Sequence, residues 1–506
     1  MKTITLKSVM AVLVALFSLN ANAYDAYIDG IYYNLVSKTK TAEVTSGDIE
    51  YIGDVKIPAS ITYNGEIYSV TSIGRRAFYS CVGLTSIDIA EGVEFIDDGG
   101  IWNCWSLNYI TIPKSMISIG WNPSIPYDDN YIRSGCFIFT GSDFIVNISD
   151  LESWCNCLFV DADTNPLRNA RHVQLKGEEI TDLIIPNGVT RINDHTFESC
   201  NSLLSVTIPN SVTYIGKGAF YGCENLKSVY INDLESWCKI NHGDYSPLSN
   251  PYHLYIKGKD LKTLIIPDNI TEIDQYAFKG CCGITSVVIP NGITSIGSNA
   301  FQGCSGLTSV TIPNSVTSIG GFAFANCPNI MKVDIPNNVT SIGEYAFSGC
   351  IGLQSISLPK SISTPITVID DSDPWMTIIF GPIERKVYNI GSGALGACKN
   401  VEDVYCYAED IPYMGNEVFR DAYVEYATLH VPASSIESYK GDPQWGTFGK
   451  IVALTDEEIA AYIEYTIAPK DENHIFTIDG KAVDTLQKGV NIIRYTNGSV
   501  KKVLVK

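Results

Sequence analysis

A chain of 506 residues exceeds what one ordinary compact core organises, and 45% hydrophobic with only 18% charged residues excludes a disordered polymer. The formal charge of −20 argues against nucleic acid and anionic membrane as partners. Acidity by itself names no partner.

Residues 1–23 carry Lys2 and Lys7, an apolar run from Val9 to Leu19 and the small-residue site Ala21-Asn22-Ala23, the pattern of a cleaved secretory signal. Its removal takes both lysines and no acid, so the exported chain would stand at −22 instead of −20. The first cysteine is Cys81, leaving no lipid-bearing cysteine behind the apolar run, and no later stretch approaches the roughly 20 apolar residues of a membrane span. An extracellular or cell-surface location without an integral membrane segment is expected.

Residues 24–57 hold alternating patches, YIDGIYYNLV and YIGDVKIP, placed to be the N-terminal cap of a stacked structure. From Pro58 to Leu454 the sequence is periodic. Between 281 and 359, CSGLTSVTIPNSVTSIGGFAFAN from Cys304 runs straight into CPNIMKVDIPNNVTSIGEYAFSG from Cys327. Ile-Pro or Leu-Pro pairs end at Pro267, Pro290, Pro313, Pro336 and Pro359, and Ala-Phe pairs at Phe278, Phe301, Phe324 and Phe347, each 23 residues after the last. Such a period marks coils that cannot bury their own apolar side and must lean on neighbours. Within one coil, Val310 and Ile312 alternate with Ser309 and Thr311 as a half-buried strand that Pro313 ends. A shorter apolar step from Val316 to Ile319 follows. Phe324 and Cys327, three apart, suit a turn of helix or 3₁₀ helix with both pointing inward. The expected fold is a right-handed solenoid adding one strand per coil to a continuous parallel sheet, with strands about 4.8 Å apart.

Departures from the period are informative. TYNGEIYSVTSIG adds a hairpin around Asn64-Gly65. Longer coils near 121–185 and 232–266 share DLESWC (Asp150–Cys155, Asp233–Cys238), in which the aspartate is positioned to cap a short helix carrying Leu and Trp inward. A further insertion near 360–390 is a candidate for function on a regular scaffold. Residues 455–466 are an acidic, helical linker, and 467–506 form a small β-rich unit with turns at Asp479-Gly480 and Asn497-Gly498.

Nine of the 15 cysteines (Cys81, Cys104, Cys200, Cys223, Cys281, Cys304, Cys327, Cys350 and Cys398) recur at the coil's own position, which favours reduced core thiols. Cys136, Cys155, Cys157, Cys238, Cys282 and Cys406 lie outside the register and are the better candidates for any bridge.

Chemistry is sparse. The six histidines make no HExxH pair, and there is no CxxC, nucleophile elbow or P-loop, so neither catalytic residues nor a metal or cofactor site is expected. Asp370, Asp371 and Asp373 fit a solvated acidic loop better than a calcium site. The outward strand positions form two rows: Asp88, Thr111, Thr207, Tyr230, Val288, Thr311, Asp334, Ser357 and Tyr405, and beside them Ser86, Tyr109, Ser205, Ser228, Ser286, Ser309, Lys332, Ser355 and Asp403. Hydroxyl rungs are ordinary solvent-facing strand residues. Tyr109, Tyr230 and Tyr405, with Lys332 and Asp334, are the candidate ligand contacts, because aromatics on a rigid sheet anchor binding surfaces.

The recurring SIGxxAFxGCxxLTSVTIPNSVT, the opening IDGIYYNL and the two DLESWC coils resemble the BspA-like class of bacterial leucine-rich repeat proteins, over nearly all of Tyr24 to Leu454. The resemblance implies an exported surface protein, in a class some of whose members adhere to host matrix proteins or other bacteria. A binding or adhesion protein for a host or bacterial surface protein or glycan is therefore expected. A purely structural spacer is the alternative, and a hydrolase using loop carboxylates a more distant one. The last 40 residues are similar to sorting domains read by type IX secretion.

Overall fold

The computed structural model describes residues 24–121, 136–137, 143–170, 172–242, 252–363, 366–370, 383–467, 474–477, 482–483, 489–494 and 500–505. The chain divides into two units: residues 1–180 with 198–202, and residues 181–197 with 203–506. Both are built by stacking coils in register.

The stacking is clearest in the second unit. Strands Ser286–Val288 and Ser309–Thr311 pair in parallel, residue against its equivalent 23 later, and two-residue strands at Ser295, Ser318 and Ser341 form a second parallel ladder. The third side of each coil, expected as helix or 3₁₀ helix, is instead a run of turns, and its hydrogen bonds explain why. Asn299, Phe301 and Gly303 donate their N–H groups to Gly321, Ala323 and Ala325 of the next coil at 2.8 Å each. The intervening Ala300, Gln302 and Cys304 donate three residues back within their own coil. Every second donor is thus given to a neighbour, which an α-helix forbids. Asn299 and Gly303 sit at φ +60° and +72°, turning alternate donors outward along the axis. Gly320 answers a different need: a Cβ there would lie 2.6 Å from the Ser298 nitrogen, so only glycine lets the coils close.

Phe278, Phe301, Phe324 and Phe347 form one internal column, with centroids 5.3 to 5.5 Å apart and planes within 8°. Leu307, Val310, Ile312, Val316, Ile319 and Ala323 complete one coil's buried set. The cysteine beside each phenylalanine has a partner as well as a packing role. The thiols of Cys304, Cys327 and Cys350 each donate to the phenylalanine carbonyl one coil back, 26 residues earlier, at 3.2 Å. Cys398 reaches across the 360–390 insertion to the Phe347 carbonyl at the same distance. In the first unit Cys104 donates to the Phe78 carbonyl at 3.0 Å. All 15 thiols are free, and only Cys282 is not fully buried. Burial pushes the Cys350 thiol up to about 12, and Cys304 and Cys327 well above the ordinary thiol range.

The insertions behave as their turns dictate. Ser60–Tyr63 and Glu66–Ile73 pair antiparallel about Asn64-Gly65, both at positive φ. Helices α1 (Leu151–Asn156) and α2 (Leu234–Cys238) are capped by Asp150 and Asp233, which accept from Ser153 and Ser236 N–H at 2.9 and 2.8 Å. Both tryptophans are buried; Leu151 is buried but Leu234 only half so. Trp237 Nε1 donates to the Ala277 carbonyl at 2.9 Å.

Each long coil then ends in a hairpin, His172–Leu175 with Glu178–Glu179 and His253–Ile256 with Lys259–Asp260. Its return strand occupies the edge that the next parallel strand would use. The two hairpins divide the expected ladder after Glu179 and after Asp260, and it is divided again between Thr311 and Lys332 without a hairpin, so it is present as several parallel sheets: one in the first unit starting at Gly53–Ile57, and in the second unit three, starting at Asp182, Thr263 and Lys332.

Around 360–390, strands Ile366–Asp370 and Ile383–Val387 form an antiparallel hairpin; Asp371 and Asp373 lie outside the described residues, as do residues 1–23. After the last coils, α3 (Ile436–Gly441) packs its own buried Tyr439 edge-on against Trp445, which in turn stacks with buried Phe448. Helix α4 (Asp456–Ile467) follows. Strands at His474–Thr477, Ala482–Val483, Gly489–Arg494 and Val500–Val505 then pair antiparallel, the two hairpins expected there.

Two outcomes check this packing. Phe301→Ala empties one rung of the column and should cost about 3–5 kcal/mol in denaturant unfolding; a loss within experimental error would mean the column carries no load. In the native chain at pH 8, iodoacetamide should modify Cys282 well before any other cysteine, as peptide mapping would show. Rapid labelling of Cys327 would place that thiol outside the core.

Candidate binding surface

Each strand's alternation sends one set of side chains into the solenoid and the other outward, so the outward rows are fixed by the register. Several hydroxyls in these rows and beside them hold coils together, among them Ser205, which donates to Asp182 at 2.5 Å. Thr285 and Thr308 donate to the carbonyls of Lys262 and Thr285, 23 residues back, at 3.1 and 3.0 Å. Thr85 and Ser86 both donate to Asp54, holding its carboxyl below the usual range, Ser86 contributing most. Ser357 donates to Asp334 at 2.9 Å. Ser286 and Val288, expected on the open face, are buried.

The candidate contacts fall in three places. Tyr109, in the first unit, lies beside Ser86 and Ile145 on strand Tyr109–Ile112; its ring is half-exposed and its oxygen accepts from Asn147 Nδ2 at 3.0 Å. Tyr230, in the second unit, stands opposite Thr207 on one side and Tyr255 on the other. The two tyrosine rings stack at 4.8 Å with planes 24° apart. Ile184, next along the same row beyond Thr207, is 67% exposed. His253 Nδ1 pairs with Asp260 at 3.2 Å, and Lys262 Nζ lies 2.6 Å from the same carboxylate.

Lys332, Asp334 and Tyr405 share a third sheet, where Asp334, Ser357, Tyr405 and His430 run in one row. Lys332 and Asp334 are engaged with each other at 3.0 Å. Tyr405 stacks on His430 at 4.4 Å, and His430 is flanked by Asp403 at 3.0 Å and by Glu458 of α4 at 3.1 Å. Tyr405 therefore belongs to a cluster on which the chain's own helix sits.

Tyr255 and His253 escaped the sequence reading because the long coil breaks the 23-residue count. The signal was nevertheless present: His-x-x-x-Lys-Gly occurs at His172–Gly177 and again at His253–Gly258, marking the strand and turn of both hairpins. Among the described residues no group of three or more His, Cys, Asp or Glu side chains is placed to hold a metal, and no helix is long and apolar enough to cross a membrane.

The chain matches the family model "BspA type Leucine rich repeat region" in six copies, over residues 59–161, 174–281 and 250–367. Among solved structures, a leucine-rich repeat protein from Bacteroides ovatus is 25% identical with a TM-score of 0.45, covering 85% of this chain and all of its own. A leucine rich cell surface protein from Faecalibacterium prausnitzii is 24% identical with a TM-score of 0.41, covering 68% of this chain and 91% of its own. The pneumococcal vaccine antigen PcpA is 14% identical with a TM-score of 0.48, covering 85% and 98%. No curated protein matches. The family model spans more than half of the chain, and its repeat is the coil whose phenylalanine, cysteine and strand rows are described above: this protein belongs to the BspA-type leucine-rich repeat family.

Proposed function

We propose that this is a secreted or surface-attached, non-catalytic binding protein that engages a host or bacterial surface protein or glycan through the outward faces of its parallel sheets. One observation carries the reading: Tyr230 and Tyr255 form a stacked, half-exposed aromatic pair in line with exposed Ile184. Burying such surface has no benefit within the chain, and rigid aromatics with polar tips are what association uses as anchors. Tyr109 offers a similar anchor in the first unit. A spacer would have no need of either. The family's membership of the bacterial surface supports the location.

The C-terminal sheet, with the Lys501-Lys502 pair near its end, is read as a sorting domain for type IX secretion.

Two experiments test these statements. On an array of extracellular-matrix proteins and bacterial surface glycans, Tyr230→Ala with Tyr255→Ala should lower binding by at least about tenfold, the scale of an anchor pair; unchanged binding would remove the sheet-face reading. Deleting residues 467–506 should leave the protein off the cell surface, and normal display of the truncated chain would count against a sorting role.

A further inference from the structure

In the sheet that begins at Asp182, one outward row runs Ile184, Thr207, Tyr230, Tyr255, each beside the next on neighbouring strands. The row is uneven in height. Tyr230 is stacked against Tyr255 on one side, and Tyr255 is closed off in turn by Asp260, its partner on the return strand. The other face of Tyr230 has no ring against it among the described residues, and it looks across the short Thr207 side chain to exposed Ile184. Thr207 is therefore the floor of a slot whose walls stand two strand spacings apart, about 9.6 Å. One wall is an aromatic face and the other an aliphatic side chain. A six-membered ring midway between them would lie about 4.8 Å from each, within stacking distance.

Polar groups line the bottom of the slot and its open continuation. Two residues back on the same three strands, side chains return to the same face, and these are Asp182, Ser205 and Ser228. Asp182 accepts from Ser205 and, at 3.4 Å, from the Thr181 hydroxyl; a carboxylate has about four acceptor positions, so it retains capacity for a ligand. The Thr207 and Ser228 hydroxyls make no hydrogen bond among the described residues. All of these groups belong to the second unit.

Two apolar walls over a polar floor select a ring that is apolar on both faces and polar around its edge. A pyranose whose hydroxyls are all equatorial has that form, because its axial C–H bonds point to the two faces and its hydroxyls spread around the rim. An aromatic side chain of a protein would suit the walls, but it would strip water from Thr207, Ser228 and Asp182 without replacing the lost hydrogen bonds. An acidic sugar would bring its charge beside Asp182 on a chain of net charge −20. We propose that the slot between Ile184 and Tyr230 is a subsite for one neutral, all-equatorial pyranose ring, that of glucose, within a β-linked glycan. The inference rests on the sheet-face reading and narrows its ligand to a glycan.

The test is calorimetric titration of the full chain with cellotetraose and, in parallel, with the β-1,4-linked tetrasaccharide of mannose, whose axial hydroxyl would press on an apolar wall. Cellotetraose should bind at least about tenfold more tightly. Thr207→Tyr fills the slot with a further ring and should lower cellotetraose affinity by at least about tenfold, whereas Thr207→Val keeps the shape, removes the floor hydroxyl and should cost about fivefold. Should thermal unfolding show that Thr207→Tyr disturbs the stack, Thr207→Val decides. Absence of cellotetraose binding, equal binding of the mannose tetrasaccharide, or undiminished binding by the deciding variant overturns the slot. The sheet-face reading is separable from it: if the slot fails while Tyr230→Ala with Tyr255→Ala still abolishes binding to matrix proteins, that reading stands without the glycan subsite.

Discussion

The structure depends on alternate N–H donation along the phenylalanine side of each coil. Because Asn299, Phe301 and Gly303 give their hydrogen bonds to the next coil, while the residues between them close turns in their own, the backbone is satisfied only when another coil is present. From that constraint follow the left-handed backbone at Asn299 and Gly303, the glycine at Gly320 where coils nearly touch, and the near-parallel stacking of Phe278, Phe301, Phe324 and Phe347. The cysteines enter the same arrangement as donors. A thiol offers a small apolar body and a weak S–H that reaches the carbonyl of the phenylalanine below, a combination that neither alanine nor valine supplies.

Stacking at fixed register also makes the outer surface. Side chains at equivalent places in successive coils, 23 residues apart in a regular coil and 25 in the two pairs that follow, become neighbours, so a single tyrosine on a strand is presented beside whatever the next coil carries there. Tyr230 meets Tyr255 and makes an aromatic pair; Tyr405 meets His430 and becomes part of a floor for α4. The same row position yields an open anchor in one sheet and a covered one in another, and the difference lies in the segment that follows the last coil.

The period, the buried column, the hairpin at Asn64-Gly65 and the two aspartate-capped helices were legible because each has a strong local signature: fixed spacing, Asn-Gly, or Asp followed by an apolar pair. The turn conformation of the phenylalanine side was not, since a three-residue spacing of Phe324 and Cys327 suits helix and successive turns equally, and only donors to a neighbouring coil separate them. The interruption of the parallel ladder after His253–Ile256 depends on a return strand whose Lys-Gly turn is weaker than Asn-Gly as a signal. The burial of Ser286 and Val288 and the seating of α4 on Tyr407 involve contacts between distant segments that no local pattern encodes.

If coils are interchangeable units of one register, the chain should tolerate loss of a whole coil and reject loss of a fraction of one. Excising residues 304–326 joins Gly303 to Cys327 and preserves every inter-coil position, whereas excising 304–314 shifts all later rows. Thermal unfolding followed by circular dichroism, with gel filtration, should show a cooperative, monodisperse protein for the first deletion and a collapsed or aggregated one for the second. Equal tolerance of both, or loss of folding in the first, would contradict the stacking on which the binding faces rest.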